Sequence, residues 1–300
     1  MRYASGAAFR AALDQRLKTE AERRGAGLGR LRKHVAFELF LRRLIAVAPG
    51  RWVLKGAFVL DLRLGAGTRP TKDIDLGRDD STEAAIEDIV AAQQLDLGDY
   101  FSFAATRTEA FADTDEFAAI RFNVRAELGG RTFEQFIVDI GFTDPIAWPP
   151  DMIATSDLLA FAEIEPVEIP AVPVAQHIAE KVHAYTRRYG ESRRPSTRPK
   201  DLVDILLIAT AETIAAGALH DALVRTFHTR ARQPLPEALP EPPGDWRRPF
   251  GRLATEVGIE ADLHAAFQEA SEFLNPVLGG AANGRWDPGS RSWTKCTGNT

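Results

Sequence analysis

The chain has 300 residues, 45% of them hydrophobic and 26% charged, and a formal net charge of −5. That balance suits one large or two modest cored domains, and it argues against general coating of nucleic acid while leaving room for a local basic surface. A lone cysteine, Cys296, excludes an intramolecular disulfide and any multi-cysteine metal site; with no run of membrane-spanning length and no signal-peptide core, the expected location is cytoplasmic, without membrane contact.

In chain order, residues 6–24 and 30–47 read as amphipathic helices. The second places Leu31, Val35, Phe37, Leu39, Leu41, Leu44 and Ile45 on a broad apolar face and stops at Pro49-Gly50. Residues 52–54 read as a short strand entering a turn opened by Gly56, and 57–64 as a helix closed by Gly65 and Gly67. Lys72-Asp73-Ile74-Asp75-Leu76 is a strand pattern that sends both aspartates to one face and Ile74 and Leu76 into a core. A helix follows from Thr82 to Gln94, capped by Ser81. Ile120, Phe122, Val124, Ala126 and Leu128 then alternate with Arg121, Asn123, Arg125 and Glu127. Gly129-Gly130 turns the chain into a second strand over 132–142, so the hairpin brings Asp139 into the sheet of Asp73 and Asp75.

Past Pro149-Pro150 the pattern is expected to be helical, with helices over 174–188, 200–216, 219–230 and 259–274 and a proline-rich linker over 232–249. The expected organisation is a domain over 1–150, a helical domain over 151–279 and a disordered tail over 280–300.

The chemistry starts from Asp73 and Asp75. Neighbouring carboxylates repel unless a cation sits between them, and a hard ion such as Mg²⁺ or Mn²⁺ suits oxygen ligands. Upstream, Lys55-Gly56-Ala57 offers a turn in which the backbone can approach phosphates. A phosphate turn beside a metal pair is the equipment of phosphoryl or nucleotidyl transfer. Asp139, alone in an apolar strand, needs compensation. It is either a third metal ligand or the partner of Arg121 or Arg125.

On the later helices, Lys181 and Arg188 are expected on one polar side, away from Ile178, Val182 and Tyr185. Asp201 and Asp204, i and i+3, share a polar face of the next helix. These are either solvated surface charges or a lysine that neutralises triphosphate charge with an aspartate that positions it or takes the acceptor's proton. The basic loop 187–200, with Arg193, Arg194 and Arg198, is either solvated or suited to a polyanion such as RNA or a triphosphate. No zinc-spaced histidines, Gly-x-Ser-x-Gly nucleophile, Walker loop or dinucleotide loop occurs.

With these residues assembled, the chain resembles the AbiEii/AbiGii family of nucleotidyltransferase-like toxins of type IV toxin–antitoxin systems. The matching stretches are Val53-Leu54-Lys55-Gly56-Ala57, Arg69-Pro70-Thr71-Lys72-Asp73-Ile74-Asp75-Leu76, Lys181 with Arg187 and Arg188, and Lys200-Asp201-Leu202-Val203-Asp204. The resemblance implies an α+β fold: a polymerase-β-like nucleotidyltransferase mixed sheet with flanking helices, followed by a helical domain. It implies an NTP cosubstrate with Mg²⁺ or Mn²⁺, transfer to RNA (tRNA in some members), a block of translation, and a cognate antitoxin encoded nearby. By position, Asp73 and Asp75 are metal ligands, with Asp139 standing where a third carboxylate would. Lys55, Gly56, Ala57, Thr71 and Arg188 fall on nucleotide-contacting positions, and Lys181 with Asp201 or Asp204 on the downstream catalytic motifs. Where the wider superfamily follows the glycine with Gly or Ser, Ala57 leaves the triphosphate to backbone amides. Rival readings are a small-molecule nucleotidyltransferase, a catalytically silent nucleotide- or RNA-binding module, and a two-metal nuclease.

Overall fold

In the computed structural model, residues 2–108, 118–142, 149–189, 194–230 and 233–294 are described. The chain divides into two compact units, the first comprising Met1–Ala66 and Pro70–Val172, the second Gly67–Arg69 and Pro173–Thr300.

In the first unit the elements run α1 (Gly6–Arg24), α2 (Leu28–Val47), β1 (Val53–Lys55), α3 (Gly56–Leu64), β2 (Asp73–Gly77), α4 (Thr82–Gln94), β3 (Phe101–Thr108), β4 (Ala118–Leu128), β5 (Arg131–Gly141), β6 (Asp151–Ala154) and β7 (Glu168–Ala171). The strands form one mixed sheet in the order β3-β4-β5-β2-β1-β7-β6. Its β5–β2 and β1–β7 pairs are parallel and the others antiparallel. Alternation decides which face is covered. Phe136, Val138 and Ile140 of β5 and Phe122, Val124 and Ala126 of β4 are buried. The ring of Phe37, on α2, meets those of Phe58 and Phe136, each at 4.9 Å between centroids. Ser81 caps α4 through its hydroxyl, as expected.

β3 lies where the sequence pattern predicts no strand. Its outward face carries Ser102, Ala104 and Thr106, small residues that blunt the strand signal. The segment after Pro149-Pro150 is not helical at first: β6 and β7 extend the sheet, with Leu54 of β1 opposite Ala171 of β7. Strands of four residues, one punctuated by Pro170, leave almost no periodicity to read. The first unit therefore reaches Val172 rather than residue 150.

The second unit runs α5 (Val174–Thr186), β8 (Arg188–Tyr189), β9 (Arg194–Pro195), α6 (Pro199–Ala211), β10 (Ile214–Ala215), α7 (Ala216–Arg230), α8 (Arg247–Val257), α9 (Leu263–Leu278), β11 (Arg285–Asp287) and β12 (Ser292–Thr294). α5 packs against α6 and α7, and α6 also against α8 and α9. α8 begins inside the stretch expected to be a linker; Pro249 falls in its first turn, where no backbone donor is lost. The expected disordered tail is ordered as far as residue 294. β10, β11 and β12 form a small sheet. Trp286 is 2% exposed, and its indole donates to Ala209 O at 2.7 Å. Trp293 stacks on Phe273 at 5.7 Å. Two tryptophans with a local core outweigh the Gly- and Ser-rich composition between them. Among the described residues no helix is long and apolar enough to cross a membrane.

Candidate active site

Across the first unit's sheet, Lys55, Asp75, Asp139, Arg121 and Thr108 lie in one cross-strand row over β1, β2, β5, β4 and β3. One step along, Asp73, Ile137, Asn123 and Thr106 form the next row. Residues paired in this way project to the same side. Asp73 and Asp75 thus stand together on the face opposite the phenylalanine core, both half-buried.

The turn before α3 is built around them. Gly56 has φ +69°, and a Cβ there would lie 1.8 Å from Asp75 Oδ2. Only glycine allows both that backbone and that approach. Lys55 is the N-cap of α3 and makes no side-chain cap hydrogen bond to the helix. The Lys55 stem passes over Gly77, where a Cβ would meet its Cδ at 3.0 Å. Ala57 is buried, leaving only its backbone for a ligand. Thr71 is also buried, and its hydroxyl donates to Asp73 Oδ1 at 2.6 Å.

Asp139 is held by Arg121, whose Nε and Nη2 donate to its two oxygens at 2.6 and 2.7 Å. Arg125 pairs instead with Glu127 at 3.0 Å. The Arg121 pKa is pushed up by the Asp139 hydrogen bond, against a smaller cost of burial, with help from the charges of Asp73 and Asp75. One guanidinium thus answers a field made by all three carboxylates. Among the described residues no three His, Cys, Asp or Glu side chains form a metal-binding set. The Asp73/Asp75 pair by itself fits a small hard cation, because Mg²⁺ is commonly held by one or two carboxylates plus substrate phosphates.

In the second unit, Lys181 Nζ lies 3.3 Å from Asp201 Oδ1 and 2.7 Å from Asp204 Oδ2. Arg69 grips Asp204 bidentately at 2.8 and 2.9 Å, and Arg198 donates to Asp201 Oδ2 at 2.7 Å. Both aspartates are fully buried and Lys181 is 7% exposed. Burial alone would raise the Asp204 pKa, but Lys181 and Arg69 outweigh it and hold the carboxyl well below the ordinary range. Burial would likewise lower Lys181, yet Asp204 and Asp201 hold it above the usual lysine value. Lys200 is pushed down by burial and by the charges of Arg198, Lys181 and Arg69.

The chain matches the family model described as nucleotidyl transferase AbiEii toxin, type IV TA system, over residues 39–273. It belongs to that family. The protein is therefore a nucleotidyltransferase of the toxin half of such systems. No curated protein gives a significant sequence match. Among solved structures it is similar to MenT4, a nucleotidyltransferase toxin from Mycobacterium tuberculosis H37Rv, with TM-score 0.55 and 19% identity, covering 91% of this chain and 98% of that one. It is also similar to JHP933 from Helicobacter pylori, with TM-score 0.45 and 14% identity, covering 83% and 92%. At that identity the MenT4 likeness speaks to the fold, which is the mixed α+β arrangement expected.

Several residues of this AbiEii chain sit differently from expectation. Lys181 does not face away from the core, because α6 and α7 enclose α5 on its polar side as well. Asp201 and Asp204 are not on a solvated face. α6 is apolar nearly all round, from Leu202 to Ala209, and that pattern marks a buried helix whose charges need partners. This signal was present in the sequence, and Arg69 was the partner it missed. α5 ends at Thr186, so Arg188 lies beyond it, exposed on β8. Arg194 is exposed, Arg198 is turned onto Asp201, and Arg193 falls outside the described residues.

Proposed function

We propose that the protein transfers a nucleotide from an NTP to an RNA acceptor, with Asp73 and Asp75 as the metal-holding pair and tRNA as the acceptor class, so that translation stops. The observation carrying this reading is the contact of Asp75 with the Gly56 turn: a carboxylate pair packed against a backbone turn at a helix N-terminus. A bound Mg²⁺ or Mn²⁺ would supply charge neutralisation for the triphosphate and the attacking oxygen. Thr71 holds Asp73 in place. The N–H groups of α3 receive the phosphates, helped by the helix dipole. Arg121 holds Asp139 and adds positive charge to the same row. Lys181, Asp201, Asp204 and Arg69 answer one another's charges within the second unit and tie α5 to α6 there. Family membership further implies an antitoxin partner.

Incubation with total tRNA, each labelled NTP, and Mg²⁺ or EDTA tests this. Label should enter RNA with Mg²⁺ and not with EDTA. Label found only on small molecules, or metal-independent transfer, would reject the reading.

A further inference from the structure

Beside the carboxylates, the open face of β3, β4 and β5 forms a groove of about 620 Å³. Its lining includes Lys33, Lys72, Arg125, Asn123, Gln135 and Thr106, and no acidic residue among those described. That is unusual ground for a chain of net charge −5. Register places it. Ile137, Asn123 and Thr106 continue the Asp73 row, and Gln135, Arg125 and Ala104 make the row beyond, roughly 7 Å farther along the strands. The floor thus starts at the metal pair and leads away from it.

We propose that this groove seats the last one or two nucleotides of a single-stranded RNA acceptor, with its terminal hydroxyl at the Asp73 end. The inference rests on the function proposed above and adds the seat of the second substrate. Three features support it. The Gly56 turn lies on the β1 side of β2, whereas the groove lies on the β5 side. In-line displacement needs the attacking and leaving oxygens on opposite sides of phosphorus. A triphosphate on the Gly56 side leaves the groove side to the acceptor. The acceptor hydroxyl oxygen then bonds the α-phosphorus as the bond to the bridging oxygen breaks. Pyrophosphate leaves with the electron pair, and the hydroxyl proton passes to solvent.

Second, the lining matches the chemistry of unpaired nucleotides. Asn123 and Gln135 are exposed, and each carries an amide with two donors and an acceptor, the groups that read base edges. Third, the cations suit a phosphate backbone. Lys33 and Arg125 are positioned by Glu134 and Glu127, at 3.1 and 3.0 Å, and Lys72 is exposed.

The test uses the full chain carrying Asn123→Ala, Gln135→Ala and Arg125→Ser together, with Thr106→Trp as a second variant that fills the groove without removing polar groups. All these positions are exposed, so melting temperatures should match wild type. Fluorescence anisotropy with a labelled single-stranded RNA reads binding, and steady-state transfer reads both substrates. Both variants should raise KM for RNA at least about tenfold, the equivalent of losing one or two good contacts, while KM for NTP stays level. Loss of Arg125 should flatten the salt dependence of RNA binding by about 0.7 in slope, one phosphate's worth. Unchanged RNA affinity in both variants overturns the proposal, as does a rise in KM for NTP alone. If wild type binds the RNA but labels only small molecules, the functional reading falls and the groove is judged on binding alone.

Discussion

The Asp75 carboxylate occupies the space that a side chain on residue 56 would need: a Cβ on Gly56 would come within 1.8 Å of Oδ2 and 2.7 Å of Cγ. The Gly56 turn and the proposed metal-holding carboxylate Asp75 are therefore one packed object. Gly56→Ala should displace Asp75 and strain a backbone at φ +69°. A shift near 1 Å at reacting groups costs about 10²-fold in rate. Stability should fall as well, by more than about 1 kcal/mol, because alanine disfavours positive φ. Transfer rates with melting curves check both effects. An active, fully stable alanine variant would mean that the turn is not part of the site.

Asp73→Asn and Asp75→Asn should each cut transfer by at least about 10²–10³-fold, the scale of losing a preorganised electrostatic contact. Melting temperature should stay level or rise, since carboxylate repulsion is relieved. Thr71→Val removes the 2.6 Å bond to Asp73. A hydrogen bond to a charged group is worth about 1.5–3 kcal/mol, so the loss should be about 10- to 100-fold.

Asp139→Asn is the discriminating substitution in the row. With both oxygens committed to Arg121, Asp139 should matter to the local fold more than to the metal. The expected rate loss is less than about tenfold, well below that of Asp73→Asn, with a small drop in melting temperature. A loss as deep as at Asp73, rescued by Mn²⁺, would make Asp139 a third ligand.

The buried cluster of the second unit gives a pH signature. Asp204 has its folded pKa held below the ordinary value of 3.8. Its contribution is present above about pH 4 and is lost as pH falls through the depressed value. Lys181 is raised above 10.5. Its contribution is complete below that value and lost as pH climbs beyond it. Denaturant unfolding across pH should show a plateau between these limits. Asp204→Asn should flatten the acid limb. Lys181→Met removes the cation that both buried carboxylates share but leaves Asp204 to Arg69 and Asp201 to Arg198, so it should cost about 1.5–3 kcal/mol. Activity lost without any loss of stability would instead put Lys181 on the substrate.

Trp286 anchors the hairpin that composition alone marks as disordered. Trp286→Ala should destabilise by about 3–5 kcal/mol, the range for emptying a buried aromatic site. Truncation at residue 280 should do at least as much. A truncated chain with an unchanged melting temperature would show that the hairpin is dispensable.

Local patterns alone determined much of this protein. Strict alternation from Ile120 to Leu128, a Gly-Gly turn and a following apolar strand define a hairpin without reference to anything distant, because side-chain period and turn geometry are properties of neighbouring residues. The same holds for the Ser81 cap and for Asp73 and Asp75 sharing a face. What the sequence left open was decided by long-range register and enclosure. Arg121 and Arg125 both lie on Asp139's side of the hairpin, but pairing sets Arg121 opposite Asp139 and Arg125 opposite Gln135. The nearly all-round apolar pattern of α6 marks Asp201 and Asp204 as buried, but it does not name their partners. Only the packing of α5, α6 and α7, with Arg69 arriving from far upstream, turns the two aspartates and Lys181 into an ion cluster. Burial and charge partners belong to what surrounds a residue, and that is set by tertiary contacts rather than by sequence neighbours.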